Sequence, residues 1–567
     1  MINTIFKKIY HKLPANLRMI VLNIFHSVKL NKIYDSPDHF PVNYIKNIDS
    51  PIFGSSDKEG YFYRYYQEKE VIQVLNPEDL FKYKYEIIYG TYYKNEKVVF
   101  QCNEDSVLPI SMENHKDVLR ISCDDKLTDE IKNLPPKRYQ YFTADKGLKY
   151  TIESNGGVVI GKPIQLRQKI KHKKKLVLCI FIDGLVDSSE LGKYRDEQLM
   201  PHTASFFKNG TRFRNHFSNA EWTLPSVPGF FTGTRQQTHG FFSPKDSHVI
   251  GGNEKILSEV FQDDGYLTFQ SCGNWRKSPA YGYVKGFDRT IYKKEMDAKD
   301  VIFSFLEHMR AFKDRDNFVW LTFMDVHHLL NVIPDVSSQI AGNICVTPWY
   351  DPDNKKKSVF TEKDEKLVDI YVNEVKRVDY YLKIIYDYLK ENFKDDEMLV
   401  TLVSDHGQAF ASDDQHPLSL ARTKVPWFLY GEGIPKQDAY ELTENIDIFE
   451  TILKCCDLQT SENNYDSKMP FTLGGNAERE YVFSQSIYPG QTYKAVIRDK
   501  YCEYRYESKL EVLPDGTIPD EIELKETRCI NQINETKMSQ AAQEYEAIIT
   551  EKVHDWNNRS IKIKRSR

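Results

Sequence analysis

Five short, nearly unbroken apolar runs constrain this chain more than any other feature. They are LVLCIFI (176–182), YLTFQSC (266–272), FVWLTFM (318–324), MLVTLV (398–403) and WFLYG (427–431). A strand with one face in water alternates apolar and polar residues. A run without that alternation marks a strand covered on both faces, as in a parallel sheet. Helical stretches lie between the runs. In the clearest of them, Val368, Tyr371, Val372, Val375, Val378, Leu382, Ile385 and Leu389 keep an i, i+3, i+4, i+7 rhythm. Strands alternating with helices predict an α/β sheet wrapped on both faces.

The flanking regions have a different texture. Residues 60–165 read as mainly β, with strands at YEIIYGTYY (85–93), KVVFQC (97–102), VLRISC (118–123), GLKYTI (147–152) and GVVIGKPI (157–164). That spacing suggests a small sandwich. The basic stretch RQKIKHKKK (167–175) reads as a linker, and YKAVIRD (493–499), YCEYRYE (501–507) and a helix near 538–556 close the chain. A chain of 567 residues exceeds one ordinary core. The expected organisation is a basic amphipathic segment (1–50), a mainly-β accessory domain (51–170), a catalytic α/β domain (171–490), and a C-terminal β/α subdomain with a basic tail (491–567).

Charge and hydropathy exclude several classes. The 77 Lys+Arg against 82 Asp+Glu give a net charge of -5, which removes the global electrostatic footprint of a nucleic-acid binder. Mean hydropathy is -0.56, and no run of about 18 apolar residues exists, so no transmembrane helix is expected. Before Asp35, Lys7, Lys8, Lys12, Arg18, Lys29 and Lys32 are interleaved with apolar residues and no acid. Pro14, Asn16, Arg18 and Asn23 interrupt the apolar core that a secretory signal peptide needs. Residues 1–35 read either as a helix packed on its own domain or as a peripheral contact with anionic lipid. The nine Cys form no CxxC pair, so a zinc knuckle is not expected, and a cytoplasmic, reducing location fits.

In open parallel sheets functional groups gather beyond the C-terminal ends of the strands. Here Asp183 follows the first run, Asp325-Val326-His327-His328 the third, and Ser404-Asp405-His406-Gly407 the fourth, with His416 ten residues after His406. Carboxylates and imidazoles sharing one sheet edge suit a divalent cation. Thr223 and Ser226 stand at the start of an expected helix, where a hydroxyl is either a nucleophile or an N-cap; for Ser226 the cap is the simpler reading.

Several blocks then resemble, in order, the sulfatase and alkaline-phosphatase superfamily: FIDGL (181–185), MPHTASFFKNGTRFRNHFS (200–218), TLPSVPGFFTG (223–233), TRQQTHG (234–240), GYLTFQSCGNWRK (265–277), SDHG (404–407) and TKVPWFLYGEG (423–433). The resemblance implies an alkaline-phosphatase-like mixed or parallel sheet flanked by helices. Sulfatases carry a Cys or Ser, converted to formylglycine, where this chain has Thr223, and an Arg where it has Val227. The β-methyl group of threonine rules out that aldehyde. Gly184 replaces the usual second Asp, and Gly273-Asn274-Trp275-Arg276 replaces GKWH.

A Thr nucleophile beside an Asp-His pair resembles the phosphoethanolamine transferase and lipoteichoic acid synthase branch. That branch implies one cation, Zn or Mn, on Asp183, Thr223, Asp405 and His406. His327 and His416 would act in catalysis, and Asp325, His327 and His416 would make a second metal or phosphate contact. Asn274, Arg276, Arg422 and Lys424 are candidates for substrate binding. The function so implied is transfer of a phospho group through a phospho-threonine intermediate, from a phosphorylated small-molecule or nucleotide-linked donor to a glycan or lipid-glycan acceptor. A hydrolase of sulfate or phosphate esters and a catalytically dead binding protein are the alternatives.

Overall fold

The structure, a computed structural model, describes residues 56, 58–66, 83–167, 172–243, 249–251, 255–327, 362–459 and 465–566. Residues 1–35, with their membrane reading, and His328 lie outside the described residues. The chain divides into two compact units. One holds the residues up to Gln165 with Ser278–Ala280 and Ile291–Lys294; the other holds the rest.

The first unit is mainly β. Antiparallel strands Tyr85–Lys94, Gly157–Gly161 and Ser106–Met112 carry Glu59–Tyr65 and Gln140–Ala144 as further partners. Lys97–Gln101, Lys149–Ser154, Val118–Cys123 and Lys126–Lys132 form a second antiparallel sheet. Leu108, Ile110 and Ile160 from one sheet share a core with Leu119, Ile121 and Ile152 from the other.

The second unit is built on β1 (Leu176–Ile182), β2 (Thr211–Phe217), β3 (Leu267–Cys272), β4 (Asn317–Phe323), β5 (Met398–Val403), β6 (Trp427–Gly431) and β7 (Gln437–Glu444). Their order in the sheet is β3-β4-β1-β5-β6-β2-β7. The first four are parallel, β6 runs antiparallel to both β5 and β2, and β7 is parallel to β2. All seven residues of β1 are buried. Its residues Val177, Cys179 and Phe181 pack with Leu224, Val227, Phe230 and Phe231 of helix α1 (Thr223–Thr232). The predicted long helix is α2 (Glu365–Asn392), and its apolar stripe is buried. The fold is thus an alkaline-phosphatase-like mixed sheet flanked by helices.

β2 and β7 were not legible as strands, since TRFRNHF and QDAYELTE carry charges at several positions. Arg212 is nonetheless buried, with Asp187 3.0 Å away and the Phe428 ring under its guanidinium. A paired arginine can occupy a buried strand position without an apolar signature.

The C-terminal subdomain is the antiparallel sheet β8 (Tyr481–Ser486), β9 (Thr492–Asp499), β10 (Cys502–Glu511) and β11 (Ile522–Cys529), with helix α3 (Glu535–Ser566). Ile497, Tyr504, Ile549 and Trp556 lie in its core. No described helix is long and apolar enough to cross a membrane. Cys102, Cys123, Cys179, Cys272, Cys455, Cys456, Cys502 and Cys529 are free thiols.

Candidate active site

Parallel pairing sets the site. In register, Ile182 lies beside Phe323 and Phe181 beside Val403, so β1, β4 and β5 end at one edge. Asp183 and the Asp405-His406 pair therefore emerge side by side. Gly184 follows with φ +75°, and a Cβ there would lie 2.5 Å from Gln408 Nε2. That left-handed backbone favours glycine, and the second acid of the family block has no counterpart at this position. Tyr371 of α2 holds this turn, its hydroxyl accepting from Val186 N at 2.8 Å and donating to Gly184 O at 3.0 Å. Sequence reading took Tyr371 for core, and nothing in a helical stripe separates the two roles.

Thr223 is the first residue of α1. The N-cap is Trp222, which makes no side-chain cap bond, so neither Thr223 nor Ser226 serves as the cap. The Thr223 hydroxyl donates to Asp183 Oδ2 at 3.3 Å and lies 3.3 Å from His406 Nε2. His406 Nδ1 donates to Gly407 O at 2.8 Å, which leaves Nε2 with its lone pair facing the site. His327 Nε2 is 3.5 Å from Asp183 Oδ1, and ligand atoms of Asp183, His327 and His406 lie within 4.8 Å of one another. Asp405 Oδ1 accepts from Gly184 N at 3.1 Å and from its own residue's neighbour, His406 N, at 3.0 Å.

The donor set fits a divalent cation. Asp183 Oδ1 and Asp405 Oδ2 are buried without a hydrogen-bond partner among the described residues, and Asp405 Oδ2 is 3.5 Å from His406 Nε2. Buried carboxylate oxygens left open are costly unless a cation or proton meets them. Burial, and then the neighbouring Asp405, push the Asp183 carboxyl well above the usual range; Arg276, Thr223 and Asn274 oppose this. Burial holds the His406 imidazole below its ordinary value, which keeps it neutral and able to ligate. Oxygen and nitrogen donors of this kind suit a divalent cation.

The residues predicted to bind substrate divide between the site and other partners. Asn274 Nδ2 donates to Asp183 Oδ2, so it orients a carboxylate. Arg276 stacks on Trp275 at 4.4 Å, with Trp222 6.0 Å away. Arg422 is buried, donates to Glu221 O, and is lowered to about 10 by burial. Lys424 lies 3.5 Å from Glu190.

The expected second-cation set of Asp325, His327 and His416 is not assembled. Asp325 Oδ1 is held by the Arg377 guanidinium and accepts from Ala298 N at 3.1 Å, with Oδ2 buried and without a hydrogen-bond partner among the described residues, while Arg377 also donates to Glu374 at 3.0 Å. His416 Nδ1 accepts from Leu418 N at 3.1 Å, in a loop where Asp414 pairs with Arg505 and Arg528. Arg377 and Arg505 lie far along the chain from the acids they neutralise, so no motif announces them.

Comparison with known proteins agrees with the fold. The sulfatase family profile matches residues 175–458. A sulfatase of Formosa agariphila is 25% identical over 201 residues, covering 35% of this chain. The chain spans 38% of that relative's length. Among solved structures, a protein in complex with its substrate D-glucosamine-2-N,6-O-disulfate superposes with a TM-score of 0.52 at 12% identity, over 68% of this chain and 99% of that one. A candidate sulfatase from Bacteroides thetaiotaomicron gives 0.50 at 16% identity, over 70% of this chain and 94% of that one. The chain belongs to the sulfatase family.

Proposed function

We propose that this enzyme cleaves a phosphate ester by attack of the Thr223 hydroxyl, on the phospho-threonine route, rather than a sulfate ester by the formylglycine route. One observation carries the reading: Thr223 Oγ1 lies 3.3 Å from both Asp183 Oδ2 and His406 Nε2, at the first turn of a buried helix. Asp183, Asp405, His406 and His327 would hold a Zn or Mn ion, with Thr223 as a further ligand. Such an ion lowers the pKa of a hydroxyl beside it and offsets charge on phosphate oxygens.

The chain's own groups do the rest. Asn274 fixes the Asp183 carboxylate, so the Thr223 oxygen faces one direction. The free amides at the α1 N-terminus and the Arg276 guanidinium favour an anionic substrate. Thr223 loses its proton, its oxygen bonds to phosphorus, and the ester P–O bond breaks with departure of the alcohol. Water then releases phosphate and restores Thr223. A sugar hydroxyl in place of water would make the same residues a transferase, with a phosphorylated or nucleotide-linked donor and a glycan or lipid-glycan acceptor.

Turnover of bis-p-nitrophenyl phosphate, p-nitrophenyl phosphate and p-nitrophenyl sulfate, each with Zn or Mn, tests the reading. Phosphate turnover and an acid-stable phosphate on the peptide containing Thr223 are expected. Turnover of the sulfate alone would overturn it. Added glycan hydroxyls raising alcohol release, with phosphate found on the sugar, would identify the transferase form.

A further inference from the structure

A buried chain of polar side chains leads from the edge of the sheet to the main chain of Asp405. It starts on β7, where Thr443 is the register partner of His216 on β2. Asn445, the residue after β7, donates from Nδ2 to Ser226 Oγ at 3.1 Å and to Asp405 O at 3.3 Å. Its Oδ1 therefore faces His216 Nε2, 2.8 Å away, and accepts from it. The other ring nitrogen, Nδ1, is then the acceptor for the Thr443 hydroxyl at 3.0 Å. Ser226 completes the chain by donating to Asp405 O at 2.8 Å. Thr443, His216, Asn445 and Ser226 are each at most 1% exposed.

Neighbouring polar side chains in a buried interior are expensive unless they are matched; here Asn445 sets the His216 tautomer, and the buried Ser218 hydroxyl lies 3.0 Å from Ser226 Oγ as a further member. The chain converges on one carbonyl. That carbonyl belongs to the residue whose carboxylate faces His406, and Ser226 sits one helical turn beyond Thr223 on α1. Ser226 thus ties the helix that carries the hydroxyl to the strand end that carries the carboxylate, and Asn445 adds a second donor from the end of β7.

We propose that Ser226, Asn445 and His216 are positioning residues that set Asp405 relative to Thr223, and through it the affinity of the site for its cation. The proposal rests on Asp405 being part of the cation site. Outer partners that orient metal ligands typically change affinity or activity by about 10- to 100-fold when removed.

The experiment compares wild type with Ser226→Ala, Ser226→Cys and Asn445→Leu. Binding of Zn and of Mn is measured by competition with a chelating dye. The kcat and KM for bis-p-nitrophenyl phosphate and the thermal midpoint are measured alongside. Ser226→Cys nearly keeps the volume and loses the strong donor, so it remains informative if Ser226→Ala does not fold. The expected result is cation affinity and kcat each falling about 10-fold or more, KM nearly unchanged, in variants that still melt cooperatively. Variants that lose thermal stability yet bind the cation and turn over like wild type would overturn the proposal and leave the network a packing feature. A wild type that binds neither cation overturns the proposal together with the ligand assignment. A wild type that binds a cation but turns over no phosphate ester overturns only the reading of the reaction, and the affinity comparison still decides this proposal.

Discussion

The strand-end cluster and the segment around His416 carry similar residues and have opposite fates. At the strand ends, Asp183, His327, Asp405 and His406 project from three parallel neighbours, and register brings them together. In the other region Asp414 and His416 sit on a loop, and Arg505 and Arg528 of the C-terminal sheet take the acid. Asp325 shows the same contrast at a strand end, because Arg377 claims its carboxylate. An acid next to a site becomes a ligand only if no fixed cation reaches it first. A guanidinium within hydrogen-bond distance neutralises a carboxylate as a metal would, without offering a site for substrate.

The sharpest way to break this contrast is Thr223→Ala. It removes the oxygen that lies between Asp183 and His406, and turnover is expected to fall by about 1,000-fold or more, with Ser at this position retaining part of it. Normal turnover by the Ala variant would remove the cluster's claim to be the catalytic region. The next effect is on stability. Arg377→Leu leaves the buried Asp325 and Glu374 carboxylates without their cation, and a loss of roughly 3–5 kcal/mol is expected in denaturant unfolding. The same contrast predicts a stoichiometry. With Asp325 and His416 engaged elsewhere, equilibrium dialysis followed by metal analysis should find one Zn or Mn per chain. A second equivalent lost in Asp325→Asn would show that Arg377 does not exclude a cation.

How much of this was legible in the sequence follows from the same physics. Strands buried on both faces must be apolar throughout, so all five runs could be placed nearly to the residue, and the acids following the parallel ones shared an edge by necessity. β2 carries Arg212, Arg214 and His216, and its identity as a strand depends on partners such as Asp187 and Thr443 that lie far away in sequence. For the same reason the long-range arginines at Asp325 and Asp414 left no local trace. Ser226 was legible as a hydroxyl at a helix start, the usual setting of a cap. Its actual partner, the Asp405 carbonyl, is 179 residues away.

The smallest expected effect concerns His416 and sharpens the comparison through pH. Burial, with help from Arg505, lowers its imidazole to about 4, while Asp414, Glu503 and Lys494 also bear on it. Asp414 itself is lowered to about 2, chiefly by Arg505 against the cost of burial, so its pair with Arg505 stays ionised across the window considered. Between about pH 6.5 and 4 the unfolded chain protonates this histidine and the native chain does not. The native state then binds fewer protons, so stability is complete above about 6.5, declines as pH falls, and declines no further from this group below about 4. One pK unit corresponds to about 1.4 kcal/mol, and partial access of the ring to water reduces the total to on the order of 2 kcal/mol. The structural cause is specific: protonating Nδ1 removes the acceptor that holds Leu418 N. Urea unfolding of wild type and His416→Gln at pH 7.5, 6, 5 and 4 isolates the contribution. His216, lowered to about 3 by its own burial, contributes equally to both proteins and cancels. The difference between them should change steadily from pH 6.5 to 4 and be flat above pH 7. A difference that stays constant across the whole range would mean that His416 is not held neutral by its loop, and would reopen its claim to a place at the strand-end cluster.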